Sequence, residues 1–216
     1  MPCYSHSMAA MAVWLAMAVL LLNAVAHIDA QDAPLDVSIR GVSFKGTGCD
    51  GTNTVYDVSV DKKAVTFIFR NFTAILGVRH KSDCEIQLQL ESTDGWQLEK
   101  AETIGRGFAD LGAGVVGRHT LTSSISGLTF DSNASKRITE IHGPFTDNYD
   151  VSEKFLRLGP DYAVVGGGLD SGACAVENAV NIKSLLKVKG PKGAKGIMNV
   201  DSQDTALTIK CVWEAC

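Results

Sequence analysis

The sequence predicts an all-β domain, an antiparallel β-sandwich of jelly-roll-like form, and three observations carry that expectation. Apolar and polar residues alternate with period two through most of the chain after residue 35. The 21 glycines all lie beyond residue 26, many in turn-forming groups such as Gly46, Thr47, Gly48 and Gly166, Gly167, Gly168. No stretch after the leader holds a 3.6-residue apolar period with helix caps. Many short strands joined by Gly-rich turns bury their apolar faces as a sandwich or barrel. No internal repeat or linker divides residues 35–216, which therefore read as one domain.

The N-terminus is read separately. Met8 to Leu22 form an unbroken apolar run ended by Asn23, and Ala24, Val25, Ala26 supply a small-x-small cleavage signal, with a weaker one ending at Ala30. This is the layout of a secretory signal peptide over residues 1–26, although its leader lacks Lys and Arg. The run is short for the ~20 residues that a membrane-spanning helix requires, so no membrane span is expected after cleavage.

Beyond it, Tyr56, Val58, Val60 and then Val65, Phe67, Phe69 flank Asp61, Lys62, Lys63, which predicts a hairpin over 55–70. Cys84, Ile86, Leu88 and Leu90 alternate with Glu85, Gln87, Gln89 and Glu91, the pattern of a half-buried antiparallel strand. The same period recurs over 118–126, over 176–188 (Val176, Val180, Ile182, Leu186, Val188) and over 205–213. Residues 142–172 read as the most loop-rich stretch, and 190–196 as a second loop.

Composition excludes several classes. The chain is 45% hydrophobic, 20% charged and 7% aromatic, and 20 Lys+Arg against 24 Asp+Glu leave a net charge of −4. Intrinsic disorder needs lower hydrophobicity and higher net charge. A general nucleic-acid binder needs clustered cations, so no nucleic-acid partner is expected.

Removing the leader removes Cys3 and leaves Cys49, Cys84, Cys174, Cys211 and Cys216. In an oxidising compartment this predicts two disulfides and one free thiol. Cys211 shares parity with Leu207, Ile209 and Trp213, so it reads as the buried free thiol. The natural pairs are then Cys49–Cys84 and Cys174–Cys216, although spacing leaves the connectivity open. Asn71 and Asn133 each begin an N-x-S/T acceptor.

These residues resemble a family. GTGCDGT near Cys49, VYDVSVDKKAVTFIFRNFTA, DCEIQLQLESTDGWQLEKAE around Cys84, RGFADLGAG, SGACAVENAVNIKSLLKV around Cys174 and the ending VDSQDTALTIKCVWEAC are similar to the secreted family catalogued as domain of unknown function 4360. The resemblance covers nearly the whole mature chain. It implies a secreted, disulfide-bonded, all-β domain in which Cys49, Cys84, Cys174 and Cys216 match the family's cysteines and Cys211 is an addition. It brings no established activity and no catalytic residue.

Residue chemistry points the same way. Asp170, Ser171, Gly172 superficially suggest a protease, but an aspartic site needs a second carboxylate and a serine nucleophile needs an oriented His. His80, His119 and His142 carry no such signature, and a Gly-rich turn entering Cys174 explains the triplet. The cysteines lack C-x-x-C spacing and no H-E-x-x-H occurs, so no metal site and no cofactor are expected. Asp147 to Asp150 and Asp201 to Asp204 read as polar turns rather than Ca²⁺ loops. Lys187, Lys189, Lys192 and Lys195 form a basic patch read as solvated. Trp96 and Trp213 read as core, leaving Phe145, Tyr149 and Tyr162 as the candidate aromatic ligand surface.

The expected function is a secreted, non-enzymatic extracellular binding or structural module, associated with cell wall, matrix or carbohydrate. Its expected partner is an extracellular polysaccharide or a protein. The alternatives are a secreted hydrolase with a carboxylate pair assembled in space, such as Asp110, Glu140 or Asp150, and a secreted effector or inhibitor that binds another protein.

Overall fold

The structure is a computed structural model, and it describes residues 38–91, 96–125, 136–156, 177–200 and 206–215, all within the compact unit Ala33–Cys216. The signal peptide expected at 1–26, Asn133, Tyr162, Cys174 and Cys216 lie outside the described residues. The strands are β1 (Ser38–Lys45), β2 (Thr54–Val58), β3 (Ala64–Phe69), β4 (Thr73–Ile75), β5 (Lys81–Glu91), β6 (Trp96–Leu111), β7 (Val116–Ile125), β8 (Lys136–His142), β9 (Phe145–Leu156), β10 (Glu177–Lys189), β11 (Gly196–Asn199) and β12 (Leu207–Ala215).

They form two sheets, and every strand pairing among the described residues is antiparallel. The first sheet runs β1-β5-β10-β7-β8. The second runs β2-β3-β12-β6-β11-β4, with β9 also on β6. β6 is its spine. One edge of β6 takes β12 over Trp96–Gly105 and then β11 over Phe108–Leu111. The other edge takes β9 from Lys100 to Leu111.

The core follows from the pleat. Cys84, Ile86, Leu88 and Leu90 of β5, with Val180, Ile182, Leu186 and Val188 of β10, are buried from the first sheet. Phe67 and Phe69 of β3, and Leu207, Ile209, Cys211 and Trp213 of β12, are buried from the second. The Phe44 and Phe67 rings, from opposite sheets, meet edge-on at 5.9 Å, a favoured aromatic geometry. The Cys49–Cys84 disulfide ties the β1–β2 connection to the middle of β5, with 5.3 Å between Cα atoms. Gly46 in that connection has φ 151° and passes so close to β5 that a Cβ would lie 2.2 Å from the Asp83 carbonyl oxygen. Cys211 is buried and unpaired, and burial pushes its thiol up to about 12.

One expectation is corrected here. Within the supposed loop of 142–172, residues 145–156 form a twelve-residue strand, β9. Asn148, Asp150 and Ser152 favour turns, but they occupy the outward positions, while Tyr149, Val151 and Glu153 are buried.

Polar groups enter the same interior. The Nε2 of His119 lies 2.7 Å from the Ser184 hydroxyl, bridging β7 and β10, and the His119 ring meets Tyr149 edge-on at 5.7 Å. Burial pushes His119 down to about 3, so its imidazole stays neutral. Nearby, the Ser123 hydroxyl donates to Thr103 at 3.1 Å, and Glu153, directly opposite Thr103 in the ladder, is 1% exposed. Burial raises this carboxyl to about 7; Arg137 and Ser123 face it and offset only part of that rise.

Two outcomes are expected. Replacing both Cys49 and Cys84 by Ala opens a link across 35 residues and lowers unfolding free energy by about 3–4 kcal/mol in urea titrations. For Glu153, the folded state holds its proton up to about pH 7, whereas the unfolded state releases it near its ordinary value. Stability therefore falls between those two pH values and is level above them. Glu153→Gln removes that slope, gaining on the order of 2 kcal/mol at pH 8 relative to pH 4, read from melting curves across pH.

Candidate functional site

The pleat that buries the even residues of β5 and β10 turns their odd residues outward, and the antiparallel registers align them in rows across the first sheet. One row is Ser43, Gln87, Asn181, Ser124. The next, two residues along each strand, is Lys45, Glu85, Lys183, Thr122, Lys136. All of these but Lys136, together with Ile86 and Ile182, line a shallow groove of about 310 Å³ on the outer face. Gln87 and Gln89 are exposed. Gly41, opposite Gln89, lets the Gln89 side chain lie over the strand, where a Cβ at Gly41 would come within 3.1 Å of the Gln89 Oε1.

The charged groups of this face are partly paired. Lys183 donates to Glu85 across the strands, and this bond holds the Glu85 carboxyl below and the Lys183 ammonium above their ordinary values. Further along lies the row Lys81, Lys187, Arg118, Glu140. Arg118 donates to Glu140 through Nε at 2.9 Å and also through Nη2, which lowers the Glu140 carboxyl's pKa. His142 lies 3.4 Å from the other Glu140 oxygen. Val116, Arg118, Glu140, Lys187 and Lys189 enclose a second, smaller hollow of about 90 Å³.

The aromatic ligand surface expected from sequence is not assembled among the described residues. Tyr149 is 7% exposed, because its cross-strand partner is Gly107. The tyrosine ring fills the space that a side chain would take there, so a Cβ at Gly107 would sit 2.5 Å from the Tyr149 hydroxyl. Phe145 is half-buried and packs on the core. The outer face of the first sheet instead offers amides, hydroxyls and charges.

The three carboxylates weighed for hydrolysis are also kept apart. Glu140 is on the outer face of the first sheet with Arg118. Asp110 accepts from Thr146 at 2.8 Å and Asp150 lies 3.7 Å from Arg106, both on the second sheet. Four residues of β6 separate their ladder positions, about 13 Å at strand rise, beyond the spacing of glycosidase carboxyl pairs. The His119–Ser184 pair is a Ser-His contact that sequence reading missed. It is fully buried and its imidazole is a weak base, so it serves the core. Its signal was parity: His119 alternates in step with Leu121, and Ser184 with Ile182 and Leu186.

Asn71 sits exposed in the turn before β4. Its Oδ1 accepts from Arg79 at 2.9 Å, and its amide nitrogen is the atom that a glycan would take. Among the described residues, no group of His, Cys, Asp or Glu is arranged to hold a metal ion, and no helix is long and apolar enough to cross a membrane.

Comparisons with known proteins give the following. An uncharacterized secreted protein of Arthroderma benhamiae is 26% identical over 191 residues, covering 85% of this chain and 73% of the relative. Among solved structures, a carbohydrate-binding module, TmCBM61 in complex with β-1,4-galactotriose, is 12% identical with a TM-score of 0.29, covering 81% of this chain and 90% of that one. TmCBM27, described with mannan recognition, is 10% identical with a TM-score of 0.33, covering 82% and 99%. A chain of the Israeli acute paralysis virus particle is 9% identical with a TM-score of 0.27, covering 89% and 80%. The family model described as Domain of unknown function (DUF4360) matches residues 35–216, and the chain belongs to that family.

Proposed function

We propose that the protein is a secreted, non-enzymatic binding module that holds an extracellular polysaccharide on the outer face of its five-stranded sheet. The observation that carries this reading is the groove lined by Ser43, Gln87, Thr122, Ser124 and Asn181. Amides and hydroxyls donate and accept hydrogen bonds, as sugar hydroxyls do, and an extended polymer matches an open, shallow sheet surface. Gln87 and Asn181 stand on strands with hydrogen-bonded neighbours on both sides, so their spacing is fixed before the ligand arrives. With no aromatic platform in the groove, affinity rests on polar contacts, and water remains between partners at many of them.

The same reading includes cleavage of the leader after Ala26, a second disulfide between Cys174 and Cys216, and glycans on Asn71 and Asn133. The relative's description as secreted supports that compartment. The exposure of Asn71 supports a glycan at that position.

The test is co-sedimentation of the secreted protein with insoluble chitin, β-glucan, cellulose and pectate, with released sugar assayed in the same tubes. Binding without sugar release is expected. Combining Gln87→Ala with Gln89→Ala weakens retention about tenfold while the melting temperature holds, since both side chains are exposed. Sugar release, or retention unchanged in the double variant, overturns the reading. For the glycan, Asn71→Gln expressed in a eukaryotic secretory host lowers the mass of the secreted protein by one N-glycan; an unchanged mass removes Asn71 as an acceptor.

A further inference from the structure

We infer that the ligand of this face is an acidic, carboxylate-bearing polysaccharide, read by the cationic row Lys81, Lys187 and Arg118; the inference rests on the polysaccharide reading above. In that row three cations stand side by side on β5, β10 and β7. Neighbouring strands are about 4.8 Å apart, so the row spans about 10 Å. Like charges directly opposite one another destabilise a sheet. The arrangement persists in a chain whose net charge is −4. Glu140 neutralises only the outermost member, Arg118. The nearest acid on the adjoining row, Asp83, accepts a hydrogen bond from Thr47 at 3.0 Å.

Two members of the row, Lys187 and Arg118, border a hollow. Lys187 is half-buried, and the hollow beside it is closed by Arg118, Lys189, Val116 and Glu140. A solvated basic patch has no reason to form a hollow with the cations on its walls. A carboxylate seated there would meet Lys187 and Lys189 and would compete with Glu140 for Arg118.

Position decides the class of anion. Asn181 in the groove and Lys187 in the cationic row lie on the same strand, six residues or about 20 Å apart at strand rise. One extended polymer lying along β10 meets hydrogen-bonding amides at one end and cations at the other. That demands a chain bearing both hydroxyls and carboxylates along its length, which a polyuronate does. A nucleic-acid duplex needs cations along its whole length, which a chain of net charge −4 with amides at one end of this face does not offer.

The experiment measures binding of the mature protein to soluble polygalacturonate, to its methyl ester, and to a neutral β-glucan, by affinity gel electrophoresis. The ester keeps the polymer and removes its charge. Expected is retention by polygalacturonate at least tenfold stronger than by the ester, declining as NaCl rises from about 0.05 to about 0.5 M. Lys187→Ala weakens it about tenfold, and Glu140→Gln strengthens it severalfold by releasing Arg118. Opposite effects from two neighbouring positions, with the melting temperature of both variants held, are not produced by a merely structural role. Equal retention by polygalacturonate and its ester overturns this inference and leaves the polysaccharide reading standing. So does retention unaffected by Lys187→Ala. Stronger retention by an RNA duplex or by anionic phospholipid vesicles overturns it in favour of another anion. Failure to bind any of the three polysaccharides overturns this inference, and failure to co-sediment with chitin and cellulose as well overturns both readings.

Discussion

The register of β5 between β1 and β10 is the constraint from which the rest of the molecule follows. Because side chains alternate strictly across a strand, a slip of one residue would exchange the whole inner set for the outer one. In register, Ile86 lies opposite Phe44 and Ile182, and Gln87 opposite Ser43 and Asn181. The apolar row supplies the core and the polar row supplies the candidate site. The two cannot be altered independently, since the burial of Ile86, Leu88 and Leu90 is what holds Gln87 and Gln89 facing water. The Cys49–Cys84 disulfide reinforces this register at one point of β5 and also ties down the connection that crosses between the sheets.

The interior is less apolar than the alternation alone would make it. His119, Ser184, Thr103, Ser123 and Glu153 all occupy inward positions, and a buried polar group costs free energy unless it finds a partner. The hydroxyls pair and His119 discharges its proton. Glu153 takes the other route: burial raises its carboxyl, so that below about pH 7 it sits beside Thr103 without placing a charge between the sheets. Gly105 and Gly107 of β6 serve the same packing from below. Beneath a Cβ at Gly105 the His119 ring would be 2.9 Å away, so these glycines leave room for the imidazole and for Tyr149.

Much of the fold was legible in the chain because its signals are local. The hairpin over 55–70, the strand at 84–91 and the inward parity of Leu207, Ile209 and Cys211 depend only on alternation within a few residues, and the structure places each of them accordingly. β9 was not legible, because Asn148, Asp150 and Ser152 imitate a loop, and the signal that contradicts them depends on counting Glu153 as an inward residue. The burial of Tyr149 was not legible either, since it depends on Gly107, a residue forty-two positions earlier in the chain that only the β6–β9 register makes its neighbour. The candidate site belongs to the same class. Lys187 was visible as part of the basic patch with Lys189, Lys192 and Lys195, but the reading given to it here comes from Lys81 and Arg118, which no spacing within that patch brings beside it.

That last point bears on why a site of this kind is built on strands. A row of cations in a flexible loop relaxes by moving apart, and it loses its spacing along with its repulsion. On β5, β10 and β7 the backbone ladders hold the bases of the three cationic side chains in neighbouring register whether or not a ligand is present, so repulsion left unpaired within the chain is a cost of the free protein. A polyanion that relieves it gains that energy on binding, in addition to the contacts it makes. The paired residues mark where this stops: Lys183 with Glu85 and Arg118 with Glu140 have already been relieved within the chain. Lys81 and Lys187, lying between them without a carboxylate in ion-pair contact among the described residues, hold what remains, and the strength of binding is set by how much of it the ligand removes.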